Sequence, residues 1–155
     1  MSPPDDTYYS GPPLTDEMIR AAEARVGFRL PRRYVELLRE KNGGVPIRRC
    51  FHTALKTSWA DDHAEISGLL GVGSERGIDG RLGSAYLVQE WDYPDVGIVI
   101  CDTPLGGHDT VMLDYRECGP DGEPRVIYVD EDRTTLAIAK DFGEFMDRLV
   151  DCNDL

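Results

Sequence analysis

The run Gly97-Ile98-Val99-Ile100-Cys101 is apolar without alternation. A strand wet on one face would alternate, so this one is expected to be covered on both. A turn through Pro104-Leu105-Gly106-Gly107 joins it to Thr110-Val111-Met112-Leu113, which predicts an antiparallel hairpin at the centre of a sheet. The polar loop Cys118-Gly119-Pro120-Asp121-Gly122-Glu123-Pro124 then returns the chain into Val126-Ile127-Tyr128-Val129, the third strand of the same meander.

Helices flank this meander. On the N-terminal side Thr15 suits an N-cap, Asp16 and Glu17 suit the positive end of a helix dipole, and Leu14 and Ile19 have hydrophobic-staple spacing. Ile19, Ala22 and Val26 share one face and Gly27 ends the helix, predicting residues 16–26. A second helix is expected after a short linker. Pro31 suits its first position, Tyr34, Leu37, Leu38 and Lys41 recur at helical spacing, and Asn42-Gly43-Gly44 offers a left-handed exit. The pair should pack as a hairpin. At the other end Asp141 and Glu144 have capping-box spacing, and Phe142, Phe145, Met146 and Leu149 form an apolar stripe that belongs to a core. Two helices, an antiparallel meander and a closing helix define an α+β fold.

The intervening segments are weaker signals. A strand is expected near 46–53, a loop around Trp59-Ala60-Asp61-Asp62-His63, and an apolar segment from Ile66 to Val72. Residues 73–83 are glycine-rich and loop-like, and Ala85 to Glu90 suit a short helix or turn leading into Trp91-Asp92-Tyr93-Pro94. Residues 1–13, rich in proline, predict a mobile leader, leaving 14–155 as one domain.

Acidic residues outnumber basic ones by 29 to 17, a net charge of −12, so the summed field repels phosphate backbones and anionic lipid and favours a basic partner. Neither nucleic acid nor membrane is expected as a partner. The N-terminus has no basic start followed by an apolar stretch, which suggests a cytoplasmic protein. Cys50, Cys101, Cys118 and Cys152 are widely spaced with no CxxC pair, a pattern of isolated thiols rather than of disulfides or zinc ligands. No metal or other cofactor is expected.

Several candidate sites compete with plainer readings. Aspartates gather near the hairpin at Asp92, Asp95, Asp102, Asp109, Asp114, Asp130 and Asp132, with Glu131 and His108 among them. A metal-assisted hydrolase using His108, Asp102 and Asp109 is one reading, but aspartates at strand ends commonly satisfy backbone donors and no HExxH or EF-hand spacing is present. There is no GxSxG elbow or P-loop. Arg29, Arg32, Arg33 and Arg39 evoke a helix-turn-helix, yet Glu36 and Glu40 interleave with them and would pair.

The order of these signals resembles the SUKH superfamily, in its Smi/Knr cell-wall-regulator-like branch. The resemblance rests on Leu30-Pro31 with Tyr34, Leu37, Leu38 and Asn42-Gly43-Gly44; on Trp91 through Pro94; on Gly97-Ile98-Val99-Ile100; on Gly106-Gly107-His108-Asp109 leading into Leu113-Asp114-Tyr115; and on Phe142 with Phe145. It implies a protein-binding module without assigned catalytic residues. Many bacterial members resemble immunity proteins that neutralise toxins, often nucleases, and fungal relatives regulate cell-wall synthesis and signalling. The expectation is therefore an immunity-type binder, with a regulatory scaffold for a non-toxin client as the alternative. Its proposed contact surface is Trp91, Asp92, Tyr93 and Asp95 with the strand-end carboxylates Asp102, Asp109 and Asp114. Simple packing is an equal reading for Trp91 and Tyr93. The loop from Cys118 to Glu123 is longer than the simplest family pattern and is expected to reshape a binding groove.

Overall fold

A computed structural model describes residues 8–53, 63–104 and 106–154. The expected loop at Trp59–Asp62 and the first seven residues of the expected leader lie outside that set.

Helix α1 spans Asp16–Val26; the Thr15 side chain accepts from the Met18 amide at 3.2 Å, and Gly27 closes it at φ +82°. Helix α2 spans Arg32–Glu40. Pro31 is its N-cap rather than its first residue, and the helix leaves through Lys41 in extended backbone, so the left-handed residues Gly43 and Gly44 lie beyond its end. Arg39 ties α2 to α1 through Asp16 at 2.5 Å, and the Leu30 amide ties the linker between them to Glu23 at 2.8 Å. The buried side of α2 also meets the closing helix, with the Tyr34 ring edge-on to Phe142.

Strands β1 (Cys50–His52) and β2 (His63–Glu65) form a separate antiparallel ribbon. The main sheet has the order β3-β4-β5-β6-β7, antiparallel throughout, from β3 (Gly68–Leu69), β4 (Gly97–Asp102), β5 (Thr110–Asp114), β6 (Arg125–Val129) and β7 (Thr135–Ala139). Helix α3 (Ser84–Trp91) packs on β4, and α4 (Phe142–Arg148) packs on β6 and β7. Every residue of β5 is buried, as the unbroken apolar runs predict for a strand covered on both faces. Because β3 is only two residues long, part of the outer edge of β4 has no strand partner; the Ser84 hydroxyl takes the Val99 amide there at 2.8 Å. The central hairpin and third strand thus stand as expected. Strand β7 adds a fourth arm to the meander, beyond the three strands that the sequence predicts.

Two further expectations fail. Residues 8–13 are not a loose leader: Tyr9 is 8% exposed, with its ring over Gly68, where a Cβ would lie 2.6 Å from Tyr9 Cζ. The Gly11 amide donates to the Asn42 carbonyl at 2.7 Å, and the Asn42 side chain bonds Pro12 and both polar groups of Val72. The cysteines are not all isolated either. Cys50 and Cys152 form a disulfide across a sequence separation of 102, because β1 and the chain end pair at Cys50 and Val150. Cys101 and Cys118 are free.

Candidate protein-binding groove

The end of α3 and the β4–β5 turn meet at Trp91. Its ring lies against Gly107, whose φ is +103° and where a Cβ would fall 2.6 Å from Trp91 Cζ2, so glycine is required both for the turn and for the seat of the indole. His108 approaches the indole edge-on, with ring centroids 5.8 Å apart. The next residue, Asp92, closes α3 at φ +56° and ψ +39°.

Beneath this corner lies a buried polar network. Tyr93 donates its hydroxyl to the carbonyls of Gly107 and Asp109, and burial raises its phenol well above the ordinary value. The Asp109 carboxylate is 2% exposed and accepts from the Thr103 and Tyr128 hydroxyls, one on each oxygen. Arg133 seals the assembly from the β6–β7 turn. Its guanidinium donates to the carbonyls of Trp91 at 2.9 Å, His108 at 2.7 Å and Asp130 at 3.1 Å, and lies 4.9 Å from the Tyr93 ring centre. One arginine therefore fixes a helix end, a hairpin turn and an aromatic ring together.

In front of Trp91 opens a groove of about 240 Å³ whose lining includes Tyr8, Tyr86, Arg76 and Asp102. Tyr8 and Tyr86 are two of the three large hydrophobic side chains that stand exposed among the described residues, the third being Ile47. Arg76 lies 4.3 Å from the Tyr8 ring centre and donates to its hydroxyl at 2.6 Å. Asp102 accepts from the Tyr9 hydroxyl at 3.3 Å; burial raises its carboxyl above the ordinary value, against the pull of that bond and of Arg76.

The sequence-derived contact residues therefore divide. Trp91, Asp92, Asp95 and Asp102 reach solvent. Tyr93, Asp109 and Asp114 do not, because strand and turn register turns them inward, and this corrects the expectation that they form part of an acidic surface. Asp114 is held by Arg116 at 2.8 Å and Arg125 at 2.9 Å. Although burial alone raises it, hydrogen bonds from both arginines and from the Arg116 amide outweigh that and hold its carboxyl at about 2. Tyr8, Arg76 and Tyr86 had no signal in sequence, since only folding brings the N-terminal segment, the glycine-rich loop and α3 to one rim.

The competing readings meet different obstacles. Asp109 is engaged in the interior while His108 is exposed, and the His, Cys, Asp and Glu side chains whose ligand atoms lie within 4.8 Å of one another, among the described residues, are Cys50, Glu65 and Cys152, away from the hairpin turn. The helical arginines are engaged with acids: Arg32 with Glu36 at 2.9 Å, Arg33 with Asp147 at 3.7 Å, Arg39 with Asp16. A larger groove of about 660 Å³ lies between α1, α2 and the loop at Asp121–Glu123, so the long loop does shape a groove, but its walls include the Arg39–Asp16 and Arg32–Glu36 pairs, which a partner would have to displace. Among the described residues no helix is long and apolar enough to cross a membrane.

A sequence model described as the SMI1 / KNR4 family (SUKH-1) matches residues 13–148. No curated protein and no solved structure matches the chain.

Proposed function

The chain belongs to the SMI1 / KNR4 family (SUKH-1), which is generally non-catalytic, and from that premise we propose that it is an immunity protein of the cytoplasm that docks a basic toxin domain on the Trp91 groove. The observation that carries this reading is the rim of Tyr8, Tyr86 and Trp91 around the half-buried Asp102. Aromatic anchors on a rigid floor are the usual energetic centres of protein interfaces, and a carboxylate whose charge is poorly solvated gains when a cation covers it. Asp92 and Asp95 stand exposed nearby in the chain and extend the acidic character, and the net charge of −12 speeds encounter with a positive surface.

Co-expression with the toxins encoded beside its gene tests the proposal. The expected result is a stable complex and protection of the host cell, with Trp91→Ala and Tyr86→Ala each weakening the complex about 30-fold or more, as for hot-spot residues. A chain that neither binds nor protects, or whose binding is indifferent to both substitutions, refutes it. A complex formed instead with a non-toxin protein would favour the regulatory scaffold.

A further inference from the structure

The β1–β2 ribbon has two unlike faces. Phe51 and Ala64 are buried in the core on one, so Cys50, His52, His63 and Glu65 share the other, with Cys50 opposite Glu65 and His52 opposite His63. The chain end adds a fifth residue to this group. Cys50 and Val150 exchange backbone hydrogen bonds at 3.1 and 2.8 Å, which delivers Cys152 onto Cys50. Glu65 Oε1 then lies 3.7 Å from Cys50 Sγ and 3.5 Å from Cys152 Sγ. A disulfide sulfur has no hydrogen to donate, so a carboxylate oxygen facing two of them gains little in the oxidised state. The same oxygen is well placed when the pair is reduced, either accepting from thiols or sharing a cation with thiolates.

We propose that reduced Cys50 and Cys152, with Glu65, form a binding site for a borderline-soft divalent cation of the zinc type, gated by the disulfide. The two sulfurs, bonded to each other here, and the Glu65 carboxylate lie within 4.8 Å of one another, and the two thiolates and one carboxylate that reduction would leave suit a tetrahedral N/O/S ion and disfavour calcium or magnesium, which prefer all-oxygen sites. His52 and His63 lie two residues further along the same face, outside that cluster, so water would complete the coordination. The steps balance as thiol–disulfide exchange. A dithiol reductant supplies two electrons and two protons, the Cys50–Cys152 bond breaks, and the reductant becomes a disulfide; ion uptake then releases both thiol protons. Reoxidation by a disulfide of higher potential expels the ion. This site is independent of the Trp91 groove.

The full chain carrying Cys118→Ser, which removes the exposed thiol, is reduced with a phosphine, freed of reductant without air and titrated with Co²⁺. The expected result is a single class of site with thiolate-to-cobalt charge transfer and tetrahedral d–d absorption, bleached by Zn²⁺ and absent from the oxidised chain. Glu65→Gln, which leaves both cysteines in place, should weaken Co²⁺ by at least about tenfold, and Cys152→Ser should abolish the charge-transfer band. Absence of that band in a reduced chain with intact far-ultraviolet circular dichroism, equal binding by the oxidised chain, unchanged affinity in Glu65→Gln, or loss of the fold on reduction would each overturn the proposal.

Discussion

Replacing Asp114 by Asn separates a structural carboxylate from a docking one. In the folded chain Asp114 is buried between Arg116 and Arg125 and its carboxyl is held at about 2, against an ordinary 3.8. That difference corresponds to about 2.5 kcal/mol of folding stability at neutral pH. The partner guanidiniums are 46% and 32% exposed, and solvent screening reduces the figure to about 1–2 kcal/mol. Because the folded value is depressed, the contribution is complete above the unfolded value and is lost as pH falls from about 4 through about 2. Urea unfolding should therefore show Asp114→Asn with a midpoint lower by roughly 0.5–1 M at pH 7, and the gap should narrow below pH 4. A gap below about 0.5 kcal/mol at pH 7, or one of constant size down to pH 3, would refute the structural assignment; full stability with impaired partner binding would return Asp114 to the interface.

Gly107→Ala should cost about 2–4 kcal/mol, from a left-handed backbone and an overpacked indole, and should alter the near-ultraviolet circular dichroism; wild-type stability would show that the Trp91 seat is not tight. Asp102→Asn should match or exceed wild-type stability at pH 7, because a raised folded value means that ionisation opposes folding, and any advantage should vanish below about pH 4, where the wild-type carboxyl is protonated; clear destabilisation at neutral pH in thermal melts would contradict this. Asn42→Leu should cost about 2–4 kcal/mol in urea, since it orphans the Val72 amide and unties Pro12, and a near-neutral result would mean that water replaces those bonds.

The elements that could be read from sequence are those whose signals are local. Thr15 and Gly27 bound α1, and Asp141 caps α4 by accepting from the Glu144 amide at 2.8 Å, as the spacing implied. The central strands declared themselves by continuous apolar runs. Strand β7 did not, because Thr135-Leu136-Ala137-Ile138-Ala139 contains two alanines, which are weak strand formers, and its turn depends on Arg133 at φ +67°, a conformation its residue type does not announce. Tyr9 is hidden for a different reason: its burial is a long-range docking onto Gly68, and a proline-rich neighbourhood carries no hint of it. The disulfide is likewise a property of chain topology, since no spacing rule connects residues 102 apart.

The groove was half visible. Trp91 and Asp102 are candidates from chemistry alone, whereas the inward direction of Asp109 and Asp114 depends on register, because strand-end aspartates look alike in sequence. Arg116 and Arg125 were the available clue, since two arginines flanking one apolar strand end need an acid to meet them.

The Cys50–Cys152 bond also decides how the molecule would bear a load. A pull on its two ends travels along the chain to residue 50, crosses the sulfurs and leaves at 152, so every strand of the five-stranded sheet hangs in a slack covalent loop. Under tension the oxidised chain can extend only the segments outside residues 50–152, about 3.5 Å per residue at most, and the loop between the two cysteines carries no force until a reductant opens it.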